Sequence, residues 1–187
     1  DAVVERVREQ DPDRVLVGGS LPPGLSVADV DTVATAGDWE TVVDMEGKAL
    51  RELDAQYALC KPNREELGEA TGDDVSTVEG CARAADSFRS RGFDRVIASL
   101  GGDGAVLANG SDLLYAEALD VDVVDTVGAG DALLSGVVAA WEDGEDDATA
   151  LRNGVAVSSR LVERAGTAVP SFDDIEALRE RVTVREL

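Results

Sequence analysis

The chain has 187 residues, 44% of them hydrophobic, which suits one packed domain and is too apolar for a disordered tail. Its 39 acidic residues outnumber 17 basic ones, a net charge of −22, and such a surface repels nucleic acid and anionic membranes. Histidine is absent and the two cysteines, Cys60 and Cys81, lie far apart, which excludes a His-based triad and argues against a zinc site.

The acids are scattered over loops and helix faces rather than gathered in a tail: Asp11, Asp13, Asp73, Asp74 and the run from Glu142 to Asp147. Lysine occurs only at positions 48 and 61, the other basic residues being arginines. This is the composition of a cytoplasmic protein adapted to high salt, whose self-repulsion is screened at molar ionic strength. No apolar run reaches the ~20 residues of a membrane helix, and no signal-like segment opens the chain. Both cysteines are expected reduced and buried.

In chain order, Val15–Val17 reads as a strand ended by Gly18-Gly19, and Ser26 to Ala36 as a helix with Ser26 as N-cap and Asp29 at the capping-box position. Thr41–Asp44 is a strand, Lys48 to Asp54 a helix, and Tyr57–Cys60 a strand stopped by Pro62. Asn63 to Thr71 is helical and closed by Gly72; Val78 to Arg91 is a long amphipathic helix ended by Gly92. Arg95–Leu100 and Gly104–Asn109 are strands around a Gly-Gly-Asp-Gly turn, and Leu113–Ala116 is another. The β-branched run Val121–Val124 reads as a strand leading into a glycine turn. Helices follow at Ala129–Glu142, Ala148–Arg164 and Phe172–Arg181, with an exposed acidic loop after the first. Strands alternating with helices predict an α/β fold, a mostly parallel sheet with helices on both faces.

The richest segment is Asp125-Thr-Val-Gly-Ala-Gly-Asp131. A strand, a Gly-Ala-Gly turn and a helix start aim backbone N–H groups and the positive end of a helix dipole at one spot, which favours an anion. Lys61-Pro62-Asn63-Arg64-Glu65-Glu66 follows a strand and opens a helix. Asn63 and Glu66, three apart, share a helix face and could order water around magnesium; the same spacing also makes a helix cap. Lys61 suits a phosphate-facing point charge. Ser99-Leu-Gly-Gly-Asp-Gly104 is either a nucleotide-contacting turn or a plain hairpin. Gly18-Gly-Ser-Leu-Pro-Pro-Gly24 makes a rigid loop. There is no P-loop motif.

Taken together these segments resemble, in order, the motifs of the PfkB/ribokinase family of sugar kinases: D-T-x-G-A-G-D at 125–131, N-x-x-E at 63–66, S-x-G-x-x-G at 99–104 and the G-S-L-P-P-G of hexose-phosphate kinases at 19–24. Glu46 departs from the family's D-x-S-G-x-x-L stretch, where Ser is usual. The resemblance implies Asp131 as catalytic base, with Gly128, Ala129 and Gly130 as the anion hole. It implies Lys61, Ser99, Gly101, Gly104 and Asn153 as nucleotide contacts, Ser20 near the sugar phosphate, and Asn63 and Glu66 holding Mg²⁺ through water. Asn153–Ala156 and Gly166-Thr167 resemble segments that flank the adenine, though close helix packing accounts for their small residues equally well.

The implied activity is ATP-dependent phosphorylation of a sugar phosphate, fructose 1-phosphate first, with fructose 6-phosphate or tagatose 6-phosphate as alternatives. An inert nucleotide-binding fragment is the reading of another class. The likeness covers positions 1–187 as the C-terminal, nucleotide-binding portion of one kinase domain, without the N-terminal strands and the β-sheet lid through which full-length members often form homodimers.

Overall fold

A computed structural model describes residues 2–166 and 171–187. The chain divides into two compact units: the first runs to Ala98 and includes Ala108–Ser111, and the second comprises Ser99–Leu107 and Asp112–Leu187.

The first unit holds helix α1 (Ala2–Gln10), strand β1 (Arg14–Gly18), α2 (Val27–Ala34), β2 (Glu40–Asp44), α3 (Gly47–Glu52), β3 (Tyr57–Cys60), α4 (Arg64–Thr71), α5 (Val78–Arg89) and β4 (Phe93–Ser99, its last residue falling to the second unit). The four strands lie side by side in chain order and run parallel: Val15 pairs with Thr41, Val42 with Leu59, and Leu59 with Arg95. All four residues of β3 are buried, as they must be when helices cover both faces of a parallel sheet. Val42, Val43, Leu59, Val96 and Ile97 form a fully buried centre. Phe93 stacks between Tyr57 and Phe88 at centroid distances of 5.6 and 5.1 Å, fastening α5 to the strands. The Tyr57 hydroxyl donates to Asp31 Oδ1 at 2.7 Å, and that oxygen also accepts from the Asp54 and Ala55 amides. Ser26 and Asp29 form the expected capping box at the start of α2.

The second unit contains β5 (Ala105–Ala108, whose last residue falls to the first unit), β6 (Leu113–Ala116), α6 (Ala129–Glu142), α7 (Asp147–Val162), α8 (Ile175–Arg181) and β7 (Val184–Glu186). Strand β7 runs antiparallel to β6, with Tyr115 opposite Arg185. Helices α6 and α7 approach so closely that a Cβ on Gly136 would lie 2.9 Å from the Gly154 Cα. The Asp146 side chain caps α7 by accepting from the Thr149 amide at 2.8 Å.

Two elements, α1 and β7, were not anticipated. The strand expected at Val121–Val124 does not form. The amides of Val124 and Asp125 both donate to the Val162 carbonyl at the end of α7, so this segment follows a helix terminus rather than a neighbouring strand. Cys60 and Cys81 are free and buried, as expected. No described helix is long and apolar enough to cross a membrane.

Candidate active site

The second unit lines an open cavity of about 540 Å³. One wall is the glycine turn, contributing Ser99, Gly101, Gly102 and Gly104; a second is the first turn of α6, contributing Ala129 and Gly130; a third is α7. The glycine turn is a 3-10 helix over Gly101–Asp103 closed by a bond from the Leu100 amide to the Gly104 carbonyl at 2.8 Å. Its conformation requires glycine at 101 and 104, with φ of 63° and 94°. A Cβ on Gly104 would also run into the Ala116 carbonyl, whereas one on Gly102 would meet nothing within 4 Å. Gly102 lines the cavity, and protein packing does not require it to be glycine. The Tyr115 hydroxyl, donating to the Asp103 carbonyl at 2.7 Å, braces the turn.

At the entry to α6, Gly128 is the N-cap, left-handed at φ 78°, and supplies no side-chain cap. The Asp125 carboxylate instead holds the chain just before the helix. Its Oδ1 accepts from the Val127 amide at 3.0 Å and its Oδ2 from the Gly166 amide at 3.1 Å. These two amides hold the Asp125 carboxyl below the usual carboxylate range. The Ala129 N–H closes a turn onto the Thr126 carbonyl at 3.1 Å, while the N–H groups of Gly130 and Asp131 meet no acceptor among the described residues. Open amides at a helix N-terminus form an anion seat. Of the three residues expected in it, Ala129 and Gly130 reach the cavity wall, although the Ala129 amide is already engaged; Gly128 turns the chain into α6, and its N–H also meets no acceptor among the described residues. Asp131, one residue further on, presents an exposed carboxylate in the first helical turn.

In the first unit, Asn63 and Glu66 form a reciprocal capping box for α4: the Asn63 amide donates to Glu66 Oε2 at 2.7 Å, and the Glu66 amide to Asn63 Oδ1 at 2.9 Å. Asn63 is exposed and Glu66 half-buried, and only one of the Glu66 oxygens serves the cap. The other suits a hydrated, oxygen-preferring cation such as Mg²⁺. No cluster of three or more acidic or cysteine ligands occurs among the described residues. Lys61 is not an open phosphate-facing charge: it is 4% exposed and pairs with Asp44 Oδ2 at 3.2 Å. Burial, helped by Asp44, pushes the neighbouring Cys60 thiol well up from its ordinary range. Ser20 lies exposed in the loop after β1, and Glu46 is an exposed N-cap of α3 without a capping bond.

Asn153 is not brought to the cavity. Its side-chain amide donates to the Gly136 carbonyl at 2.6 Å, so the structure gives it the helix-packing role. The α7 wall is built instead from Val155, Ser158, Ser159 and Val162. Their spacing marks one helix face, and two serines on that largely apolar face were the available signal. Ser158 also donates to the Ala129 carbonyl at 3.0 Å, which binds α7 to the first turn of α6. Thr167, expected beside the adenine, lies outside the described residues.

A family profile described as pfkB family carbohydrate kinase matches residues 9–174. The 1-phosphofructokinase of Haloferax volcanii is 54% identical across 99% of this chain, and that of Rhodobacter capsulatus is 33% identical across all of it. The chain spans 62% and 61% of the lengths of these two relatives. Phosphofructokinase-2 from Escherichia coli, solved in complex with potassium, superposes with a TM-score of 0.87 at 26% identity over 96% of this chain and 60% of that one. Arabidopsis thaliana ribokinase, solved with ribose and ATP, shares the fold at a TM-score of 0.76 and 24% identity, over 96% of this chain and 59% of its own. Fold, motif order and profile agree, and the chain belongs to the pfkB family of carbohydrate kinases.

Proposed function

We propose that this chain carries the nucleotide-binding and phosphoryl-transfer portion of an ATP-dependent sugar-phosphate kinase whose acceptor is fructose 1-phosphate. The observation that carries the reading is the first turn of α6, where the unengaged amides of Gly130 and Asp131 sit beside the Asp131 carboxylate, and Gly130 lines the cavity. Phosphoryl transfer asks chiefly for positioning and for stabilisation of charge on the transferred group. Amides at a helix N-terminus supply the second without reorganising.

In this reading ATP supplies the phosphoryl group, and a bound Mg²⁺ would supply charge neutralisation. Asp131 accepts the proton of the attacking sugar hydroxyl. Gly130 and its neighbouring amide stabilise the charge that builds on phosphate oxygens. Ser99 and the backbone of Gly101–Gly104 receive the nucleotide, with Gly102 leaving room for it. Asn63 and Glu66, which cap α4, would hold the water shell of a bound Mg²⁺, and Ser20 would meet the sugar phosphate. The acceptor assignment is supported by the names of the relatives, 54% and 33% identical. The protein acts as a cytoplasmic enzyme on small molecules.

The test is Asp131→Asn in the complete protein. Turnover should fall by about 10²–10⁴, as for loss of a general base, while nucleotide affinity measured by calorimetry stays near wild type. Near-normal turnover would remove Asp131 from that role. A kcat/KM for fructose 6-phosphate above that for fructose 1-phosphate would overturn the acceptor.

A further inference from the structure

Gly128 poses a mechanical problem for any chemistry at the start of α6. A glycine at φ 78° fixes little by itself, and no side chain caps the helix there. The amides of Gly130 and Asp131 nevertheless have to point one way. Within the second unit, Asp125 ties the upstream side of this turn to the segment after α7, while Ser158 ties the downstream side by donating to the Ala129 carbonyl. Asp125 Oδ1 grips Val127, immediately before Gly128, and Oδ2 grips Gly166, 41 residues away and just past the end of α7. The backbone adds to this anchorage: the amides of Val124 and Asp125 both donate to the Val162 carbonyl. The carboxylate thus uses its two oxygens on two chain segments, one leading into α6 and the other leaving α7, the helix that also walls the cavity.

We infer that Asp125 is a positioning residue: its two-armed carboxylate clamps the turn before α6 to the segment after α7 and so sets the direction of the Gly130 and Asp131 amides. The inference rests on the kinase reading for its catalytic consequence and on the two hydrogen bonds for its structural one. Asp125 touches no reacting atom in this scheme.

The chemistry of the side chain supplies a graded test. Asparagine has nearly the same shape but only one acceptor oxygen, so it can serve one amide while its own N–H group opposes the other. Alanine serves neither. In the complete protein, Asp125→Asn should lower kcat about tenfold and Asp125→Ala about 10²-fold, the scale of an ångström-sized misplacement, with KM for ATP changed far less. Melting temperatures report folding alongside, and should Asp125→Ala not fold, the near-isosteric Asp125→Asn decides alone. In amide NMR spectra of Asp125→Asn, one of the Gly166 and Val127 resonances should move far from its wild-type position and the other little. Unchanged kcat in the folded variants, or a rise in KM for ATP at constant kcat, overturns the positioning role. If the wild type phosphorylates no sugar phosphate, the kinase reading fails, and the amide spectra still judge the clamp: both resonances unmoved would refute it.

Discussion

At Lys61 two demands compete for one ammonium group. A lysine beside a strand end in an arginine-rich chain suits a phosphate, but here the charge is buried and would be costly without a partner, which Asp44 provides at 3.2 Å. Lys61→Met should therefore destabilise the protein by about 2 kcal/mol, below the ~3–5 of a wholly buried pair because the Asp44 side chain stays 19% exposed. Adding Asp44→Asn should recover part of the loss, and thermal melts of the four-member cycle would show a coupling energy of about 0.5–3 kcal/mol. Strictly additive losses would mean that the pair contributes nothing.

The glycine turn gives a second contrast between neighbouring residues. Gly104→Ala meets both a left-handed φ and the Ala116 carbonyl, so it should cost more than about 1 kcal/mol in a melt. Gly102→Ala should leave stability within about 0.5 kcal/mol yet, on the proposed reading of this wall as the nucleotide seat, weaken nucleotide binding by about 1 kcal/mol. Equal nucleotide affinity for Gly102→Ala and wild type would argue against this wall as the binding surface. The sequence displayed the glycines but not this difference, since only three-dimensional neighbours reveal which glycine protects the fold and which leaves room.

Among the elements, capping signals were the most readable. Ser26 with Asp29, Asn63 with Glu66, and Gly72 as a left-handed terminus all appear where the residues announce them, because a cap is a local exchange between a side chain and orphan amides. The Asn63–Glu66 box allows the structural and metal roles of Glu66 to be separated. Glu66→Gln keeps an acceptor for the Asn63 amide and should leave the melting temperature near wild type, while activity and its Mg²⁺ dependence weaken. Glu66→Ala should additionally lose about 0.5–1.5 kcal/mol, comparable to a broken cap. Full activity in Glu66→Gln would leave the cap as the only role. Where the reading of elements failed, the cause was tertiary. Val121–Val124 has strand composition, but Val123 and Val124 are 61% and 59% exposed and their segment bonds to the end of α7. Strand β7 is three residues long and exists by pairing with β6, a partner about 70 positions earlier that no local pattern reveals.

On the scale of the whole chain, the dominant quantity is the net charge of −22. The acids at positions 11, 13, 73, 74, 142, 143 and 145 are exposed, and several ion pairs join residues three apart on one helix, a geometry worth only tenths of a kcal/mol. Local pairing therefore does little to offset repulsion among the remaining carboxylates. Screening can, since the Debye length shortens from ~10 Å at 0.1 M to ~3 Å at 1 M salt. The melting temperature should accordingly rise between 0.05 and 2 M potassium chloride, by roughly 5–10 °C for a gain of about 2–3 kcal/mol in a chain of this size. The shape of the curve identifies the cause. Screening acts mostly below about 0.5 M and then levels off, because the Debye length falls fastest there. A steady climb through 2 M without a plateau would instead indicate salt excluded from the protein surface, the mechanism by which sulfate stabilises folded proteins in general. A flat or falling midpoint would mean that these charges are spaced too widely to repel, and would end the reading of this composition as an adaptation to high salt.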